Sequence, residues 1–151
     1  MGTQIGIATR NFVPAGVTAT SNITLATVPG LTQNVTANKQ WYFRFWIPFS
    51  VGATGGVAFQ VLPPIAPLLF LLTWRLYQFG APGTLLDTGV QTNSAPFANA
   101  AAGAGDNYME AELSFINGII PGTVELQFAQ NTSDALTLTI LKGGLMDIIQ
   151  F

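Results

Sequence analysis

Apolar and polar residues alternate along most of this chain, and Gly, Pro or Asn interrupts the alternation roughly every ten residues. The clearest segment runs from Gln40 to Phe49, where residues of odd number point one way and those of even number, including Arg44, point the other. A period of two is the repeat of a β-strand, because successive side chains of a strand lie on opposite faces. Many short strands of this kind predict an all-β protein built as an antiparallel β-sandwich.

Further strands are predicted where the same alternation returns. The segment Leu68–Tyr77 is apolar on both faces, and we interpret it as a strand because nearby Pro and Gly leave little room for a stable helix. Residues 79–106 are predicted to be a long loop with one edge strand near Phe97. The other predicted strands are residues 23–28, 31–35, 57–61, 107–116, 124–128, 136–140 and 146–148.

Alternation also predicts which side chains fill the sandwich, since a slip of one residue would expose the whole set. The predicted core consists of Trp41, Phe43, Phe45, Ile47, Val57, Phe59, Val61, Leu113, Phe115, Val124, Leu126, Phe128, Leu136, Leu138 and Ile140.

The first 20 residues carry few strand signals, because Pro14 and Gly16 break any run. We expect residues 1–20 to form an extended N-terminal arm, followed by the sandwich domain at residues 21–151. Free arms of this kind are usually mobile until they contact a partner. The apolar residues that would anchor the arm on a neighbour are Ile5, Ile7, Phe12 and Val13.

The chain has few charges, and this excludes several functions. Its five basic residues are too few for the phosphate contacts of a nucleic-acid-binding protein. Without Cys or His it cannot form a zinc site, a thiol nucleophile or a Ser–His triad, and we expect no cofactor. The apolar segment 65–72 is interrupted by Pro67 and is too short to span a membrane, so no membrane insertion is expected. No signal peptide is apparent, which predicts synthesis in the cytoplasm. Charged residues make up 8% of the chain, against about 25% in soluble domains, which favours a role inside an assembly.

Several turn-and-strand motifs over residues 28–151 resemble a β-domain common in virion proteins of tailed bacteriophages. These motifs are Val28-Pro29-Gly30-Leu31, the aromatic strand 39–45, residues 52–57 with Phe59, Ile116-Asn117-Gly118, residues 121–131, and Gly143-Gly144. The resemblance implies a jelly-roll sandwich, often trimeric, in a capsid-decoration, head-fibre or tail-fibre protein. It also implies a virion location and contact with the major capsid protein or other virion proteins, and it maps no catalytic residue onto this chain.

Four charged residues are candidates for chemistry. Glu110 and Glu112 share a strand face, and paired carboxylates can hydrolyse glycosides, but such pairs flank a cleft rather than sit on one strand. Arg44 and Arg75 share faces with aromatic rings and could bind a sugar or an anion. The structural interpretation, which we favour, pairs Arg44 with Glu110, Glu112 or Glu125 across strands or subunits.

Three loop aspartates, Asp87, Asp106 and Asp134, lack the spacing of a calcium loop. We therefore predict no metal site and no catalytic site.

An apolar set remains once the inner faces are filled, and it predicts a homo-oligomer, with three copies implied by the resemblance. Residues predicted to contact another copy or the capsid are Phe12, Val13, Tyr42, Arg44, Trp46, Leu69, Leu71, Arg75, Tyr77 and Phe151. The leading hypothesis is a structural protein that decorates or cements a bacteriophage capsid. The alternative is the tip domain of a head or tail fibre that binds a receptor or host surface glycan, and a depolymerase that uses Glu110 and Glu112 ranks third.

Overall fold

The computed structural model describes residues 7–52, 55–79, 84–99 and 105–151, and this part of the chain contains strands and no helix. The strands are β1 (Ile7–Phe12), β2 (Val17–Ala19), β3 (Ala26–Val35), β4 (Gln40–Val51), β5 (Val57–Leu62), β6 (Leu69–Gln78), β7 (Thr84–Gln91), β8 (Phe97–Asn99), β9 (Gly105–Ile116), β10 (Gly122–Ala129), β11 (Leu138–Ile140) and β12 (Leu145–Gln150).

Two antiparallel sheets form the sandwich. The larger sheet has the order β1-β12-β4-β9-β6-β7, with β11 on β4 and β2 on β11, and the smaller has the order β3-β10-β5-β8. Without the hairpin β6–β7 and the short pair β2–β11, eight strands remain. When these eight strands are numbered along the chain, the larger sheet has the order 1-8-3-6 (β1-β12-β4-β9). The smaller sheet has the order 2-7-4-5 (β3-β10-β5-β8). This is the strand order of a jelly roll, so the predicted fold class is confirmed.

The core lies between the two sheets, is larger than the predicted set and contains every member of that set except one. Every predicted core residue is buried except Leu136, whose side chain is 53% exposed. The alternation was extended too far, because β11 begins only at Leu138. Leu136 belongs to the preceding turn, where its carbonyl accepts a hydrogen bond from Gln130 Nε2 at 2.6 Å.

The prediction of an arm over residues 1–20 is wrong for its described part. Strand β1 pairs with β12, and β2 pairs with β11, so both belong to the larger sheet. Val13 is fully buried in the core of its own chain, and its amide donates to the Gly144 carbonyl at 2.9 Å. Alternation of apolar and polar residues does not reveal β1, because the middle residues of this strand are polar. Polar residues are common on strands at the edge of a sheet. Ile5 lies outside the described residues.

The region 79–106 contains more structure than predicted. The edge strand near Phe97 is present as β8, but β7 was missed. Strand β7 lies at the edge of the larger sheet and leaves both of its faces partly exposed, so no alternation of apolar residues marks it. It forms a hairpin with β6, the strand predicted from Leu68–Tyr77.

The two strands predicted over residues 23–35 are one strand, β3, interrupted by a bulge. Gly30 lies in the bulge with φ of 84°, and a Cβ atom there would lie 2.3 Å from the Phe12 carbonyl oxygen. The bulge therefore lets β3 cross close to the end of β1.

Candidate interaction surface

Side chains on the outer face of the larger sheet line up in rows that cross its strands. The first charged row consists of Arg10, Asp147, Arg44, Glu112, Thr73 and Val90. The second charged row lies beside it and consists of Phe12, Leu145, Trp46, Glu110, Arg75 and Thr88. The charges of the first row alternate in sign from strand to strand, and the six charges of both rows cancel.

Arg10 and Asp147 form an ion pair at one end of the first charged row. Arg10 Nε donates to Asp147 Oδ1 at 2.5 Å, and Arg10 Nη2 donates to Oδ2 at 3.0 Å. The hydrogen bond from Arg10 lowers the pKa of Asp147, the positive charges of Arg10 and Arg44 lower it further, and partial burial opposes them. The same hydrogen bond raises the pKa of Arg10. This contact joins β1 to β12.

The other four charges of the rows meet in a shallow groove of about 320 Å³. Arg44 lies directly opposite Glu112 on the neighbouring strand, and Arg75 lies opposite Glu110. Among the described residues, ion-pair contact is made by Arg10 with Asp147 and not by these four. Arg44 thus lies opposite Glu112, one of the three acids proposed as its partner, without an ion pair to it, and both arginines line the groove.

Two further residues bear on the charges of this groove: Tyr42, which lies beside Glu112, and Glu125, which lies elsewhere. Burial first, and then the negative charge of Glu112 and a hydrogen bond to it, raises the pKa of Tyr42. Glu125, the third acid proposed as a partner for Arg44, lies on β10 of the smaller sheet instead. There it accepts a hydrogen bond from Gln127 Nε2 at 2.6 Å, so the predicted pair of Arg44 and Glu125 across strands of one chain is wrong.

An aromatic cluster lies beside the second charged row on the same face. The rings of Tyr77 and Tyr108 stack with centroids 4.7 Å apart, and Phe79 and Trp46 lie 5.0 and 6.3 Å from Tyr108. Burial first, and then the charge of Glu110, raises the pKa of Tyr108. The sequence predicted Trp46 and Tyr77 but missed Tyr108 and Phe79. Tyr108 could have been found, because it has the same parity as Glu110 and Glu112, whereas Phe79 was assigned to a loop.

The structure brings most of the predicted contact residues to this face. Phe12, Leu69 and Leu71 are exposed, Tyr42, Trp46 and Tyr77 are half-buried, and both arginines are exposed. Phe151 is exposed just beyond β12, where its amide donates to the Gln40 carbonyl. Val13 is the exception: it is buried inside its own chain, so its assignment as a contact residue is wrong.

The three aspartates predicted to lie in loops are on separate elements, and two of them are on strands. Asp87 is on β7, Asp106 is at the start of β9, and Asp134 is in the turn before β11. Within residues 7–52, 55–79, 84–99 and 105–151, no group of three acidic, His or Cys side chains could hold a metal ion.

No protein-family model matches the chain, and a search of curated proteins finds no match. Solved structures similar to it include the Eiger TNF from S. frugiperda, with 9% identity over 98% of this chain and 94% of that chain and a TM-score of 0.45. The VP2 subviral particle of infectious bursal disease virus has 9% identity over 98% of this chain and 42% of that chain, with a TM-score of 0.27. With scores this low, the jelly-roll assignment depends on strand order. In the part of the chain that the structure describes, no helix is long and apolar enough to cross a membrane.

Proposed function

We propose that this chain is a structural protein of a bacteriophage particle, assembling as a homotrimer that decorates or cements the capsid surface. The outer face of the larger sheet is, in this proposal, the contact between copies. The motifs that resemble virion β-domains and the jelly-roll strand order support the proposal. The number three and the capsid partner depend on the resemblance.

One observation carries the proposal: exposed apolar side chains accompany charge-balanced rows on a single face. Phe12 is exposed at one end of the second charged row, Leu69 and Leu71 are exposed on β6, and the charges of the two rows cancel. A large exposed apolar surface usually marks a binding site. The net charge of −2 provides little repulsion to keep copies apart. Identical neighbours in closed symmetry cover such a face without open-ended growth.

Under this proposal Glu110 and Glu112 fix the register of the interface rather than hydrolyse a glycoside. Both acids lie on β9, and each faces an arginine on a neighbouring strand. In a neighbouring copy the open guanidinium groups of Arg44 and Arg75 would find carboxylate partners. Charge pairs at a contact contribute mainly to orientation and specificity. We expect any depolymerase activity of the purified protein to survive the double substitution E110Q/E112Q.

The test is electron microscopy of particles made with and without the protein. We expect density for the protein on the capsid surface that disappears when its gene is deleted and returns when purified wild-type protein is added. The variant Arg44→Glu, whose side chain is exposed in the single chain, should fail to restore it. A surface lattice that is the same in both kinds of particle would contradict the decoration role.

A second candidate, the receptor-binding tip of a fibre, is favoured by the groove and the aromatic cluster beside it. A sugar ring can stack on exposed aromatic rings, while carboxylates and guanidinium groups bind its hydroxyls. A glycan array separates the two functions. Binding that depends on Tyr77 and Arg75 would support the fibre tip, and an array without signal would leave the decoration role as the proposal.

A further inference from the structure

One end of the sandwich presents exposed apolar side chains on neighbouring connections. We call this end the apolar tip; its exposed residues are Leu62, Ile65, Leu68, Ile119 and Ile120. Ile65 and Ile119 are 78% and 81% exposed, so they protrude. Residues 61–72 and 113–124 contain no charged residue, and two charged residues flank the tip: Glu125 lies opposite Leu62, and the Lys39 carbonyl accepts a hydrogen bond from the Asn117 amide at 3.0 Å. Isolated apolar residues on a surface are ordinary, but a cluster of exposed apolar residues on one end indicates a binding surface.

Hydrogen bonds hold the two connections of the tip in place. The Leu68 amide donates to the Ile116 carbonyl at 2.9 Å, and the side-chain amide of buried Asn117 donates to the Thr36 and Ile120 carbonyls at 3.0 Å. The connections also touch, because a Cβ atom on Gly118 would lie 2.5 Å from the Ala66 carbonyl oxygen. The protruding isoleucines are therefore preorganised, and a partner that covers them orders little additional chain.

A pocket of about 440 Å³ opens beside the protruding residues. Pro63, Pro64 and Pro67 form part of its wall, with Phe70 and Ser94 among the other lining residues. Proline fixes its own backbone φ angle, so this wall is stiff. The tip thus carries both a protruding apolar side chain and an apolar pocket that could receive one.

We propose that the apolar tip docks against the tip of a second copy of this chain about a two-fold axis. A two-fold contact requires one surface to be complementary to itself, and a tip with both a protrusion and a pocket meets that requirement. The contact is separate from the outer face of the larger sheet and does not depend on the proposed virion role.

Measurement of the mass of the purified full chain tests this contact. The wild type should have twice the mass of I65S/I119S, because loss of the tip contact divides each assembly into two equal halves. The matched control is I23S at the β2–β3 connection, where Ile23 is 62% exposed, and its mass should equal that of the wild type. Arg44→Glu, which acts on the outer face, should leave dimers joined at the tip. A wild-type mass equal to that of I65S/I119S, with both proteins folded by circular dichroism, would overturn the proposal.

Cross-linking provides a second test, because the chain contains no Cys. Under mild oxidation Ile65→Cys or Ile119→Cys should form a disulfide-linked dimer in high yield, and Ile23→Cys should not. Equal yields from all three variants would contradict a specific tip contact. Flotation with phosphatidylcholine and phosphatidylglycerol vesicles tests a lipid occupant: binding that I65S/I119S abolishes while the mass is unchanged would overturn the proposal.

Discussion

The two outer faces of the sandwich differ in what they offer to their surroundings. The larger sheet presents exposed apolar side chains around two charged rows, whereas the smaller sheet presents amides and hydroxyls with a single charge, Glu125. On the smaller sheet, Gln127 lies opposite Thr27 and Gln60, and the side-chain amides of both glutamines already donate hydrogen bonds within the chain, to Glu125 and to the Ser94 carbonyl. The same fold therefore carries one face suited to solvent and one suited to a partner.

The largest effect of a substitution on stability is expected in the core, to which both sheets contribute buried side chains. Phe43→Ala on the larger sheet and Phe128→Ala on the smaller should each lower the free energy of unfolding by about 3–5 kcal/mol, because each leaves a cavity at a buried site. Urea unfolding monitored by fluorescence measures both. A much smaller loss for either variant would show that its sheet contributes less to the core than its burial indicates.

The next largest effect is a difference in self-association between variants of the two outer faces. If copies associate through the outer face as proposed, Arg44→Glu should weaken that association by about 2–5 kcal/mol, because it would bury a charge without a partner. The matched change on the smaller sheet, Thr32→Glu, places a carboxylate at an exposed position of β3 and should leave the mass unchanged. Sedimentation velocity over a dilution series measures both. The exchange R44E/E112R should recover part of the loss, and equal effects of Arg44→Glu and Thr32→Glu would show that the faces do not differ in function.

A smaller effect concerns the hairpin β6–β7, which only the larger sheet has. A Cβ atom on Gly89 would lie 2.2 Å from Trp74 Cζ2, so Gly89→Ala must displace the indole from its position against Phe97. Overpacking of this kind costs about 1–3 kcal/mol. Gly16→Ala is the control, since its Cβ atom would meet the Ile140 carbonyl oxygen at an ordinary 3.5 Å. Thermal unfolding of the two variants compares them, and identical midpoints would mean that the indole moves freely.

The smallest effect is a pH dependence at the edge of the larger sheet. Arg10 holds the pKa of Asp147 below its ordinary value, so the contribution of this pair to stability is complete above the unfolded pKa of about 3.9. It is lost as the pH falls through the lower pKa of the folded state. The stability difference between wild type and Asp147→Asn should therefore be constant near neutral pH and disappear in strong acid. Solvent screens the exposed pair, so the difference is small.

A double substitution checks that prediction. R10Q/D147N should be no less stable than Asp147→Asn alone, because either change removes the pair. A further loss in the double variant would mean that Arg10 has another partner.

Alternation predicts a strand when one of its faces is buried, and it fails at the edges. Strands β4, β9 and β10 were found because every second side chain faces the core. Strands β1 and β7 lie at the two edges of the larger sheet. Fewer of their side chains are buried there, so their sequences need not alternate between apolar and polar residues. For the same reason Val13 was placed on the surface and Phe79 in a loop.

The candidate surface was predicted only in part, because strand parity gives the face but not the neighbour. The sequence shows that Arg44 and Glu112 each point outward from a strand. That β4 and β9 are adjacent, with these two residues in register, depends on the jelly-roll order. The apolar tip was missed because its two segments are separated in sequence by the hairpin and by β8 and β9.

The pairing of β1 with β12 has a consequence for how the chain reaches this structure. Ile7 is in register with Gln150, so a strand near one terminus of this sequence can pair only after a strand near the other terminus has been made. Closing such distant contacts is slow, and all-β domains dominated by them fold in milliseconds to seconds. Synthesis proceeds at about 5–20 residues per second, so β1 leaves the ribosome several seconds before β12 exists. During that interval β1 has no strand to pair with, and the larger sheet closes only after β12 has been made.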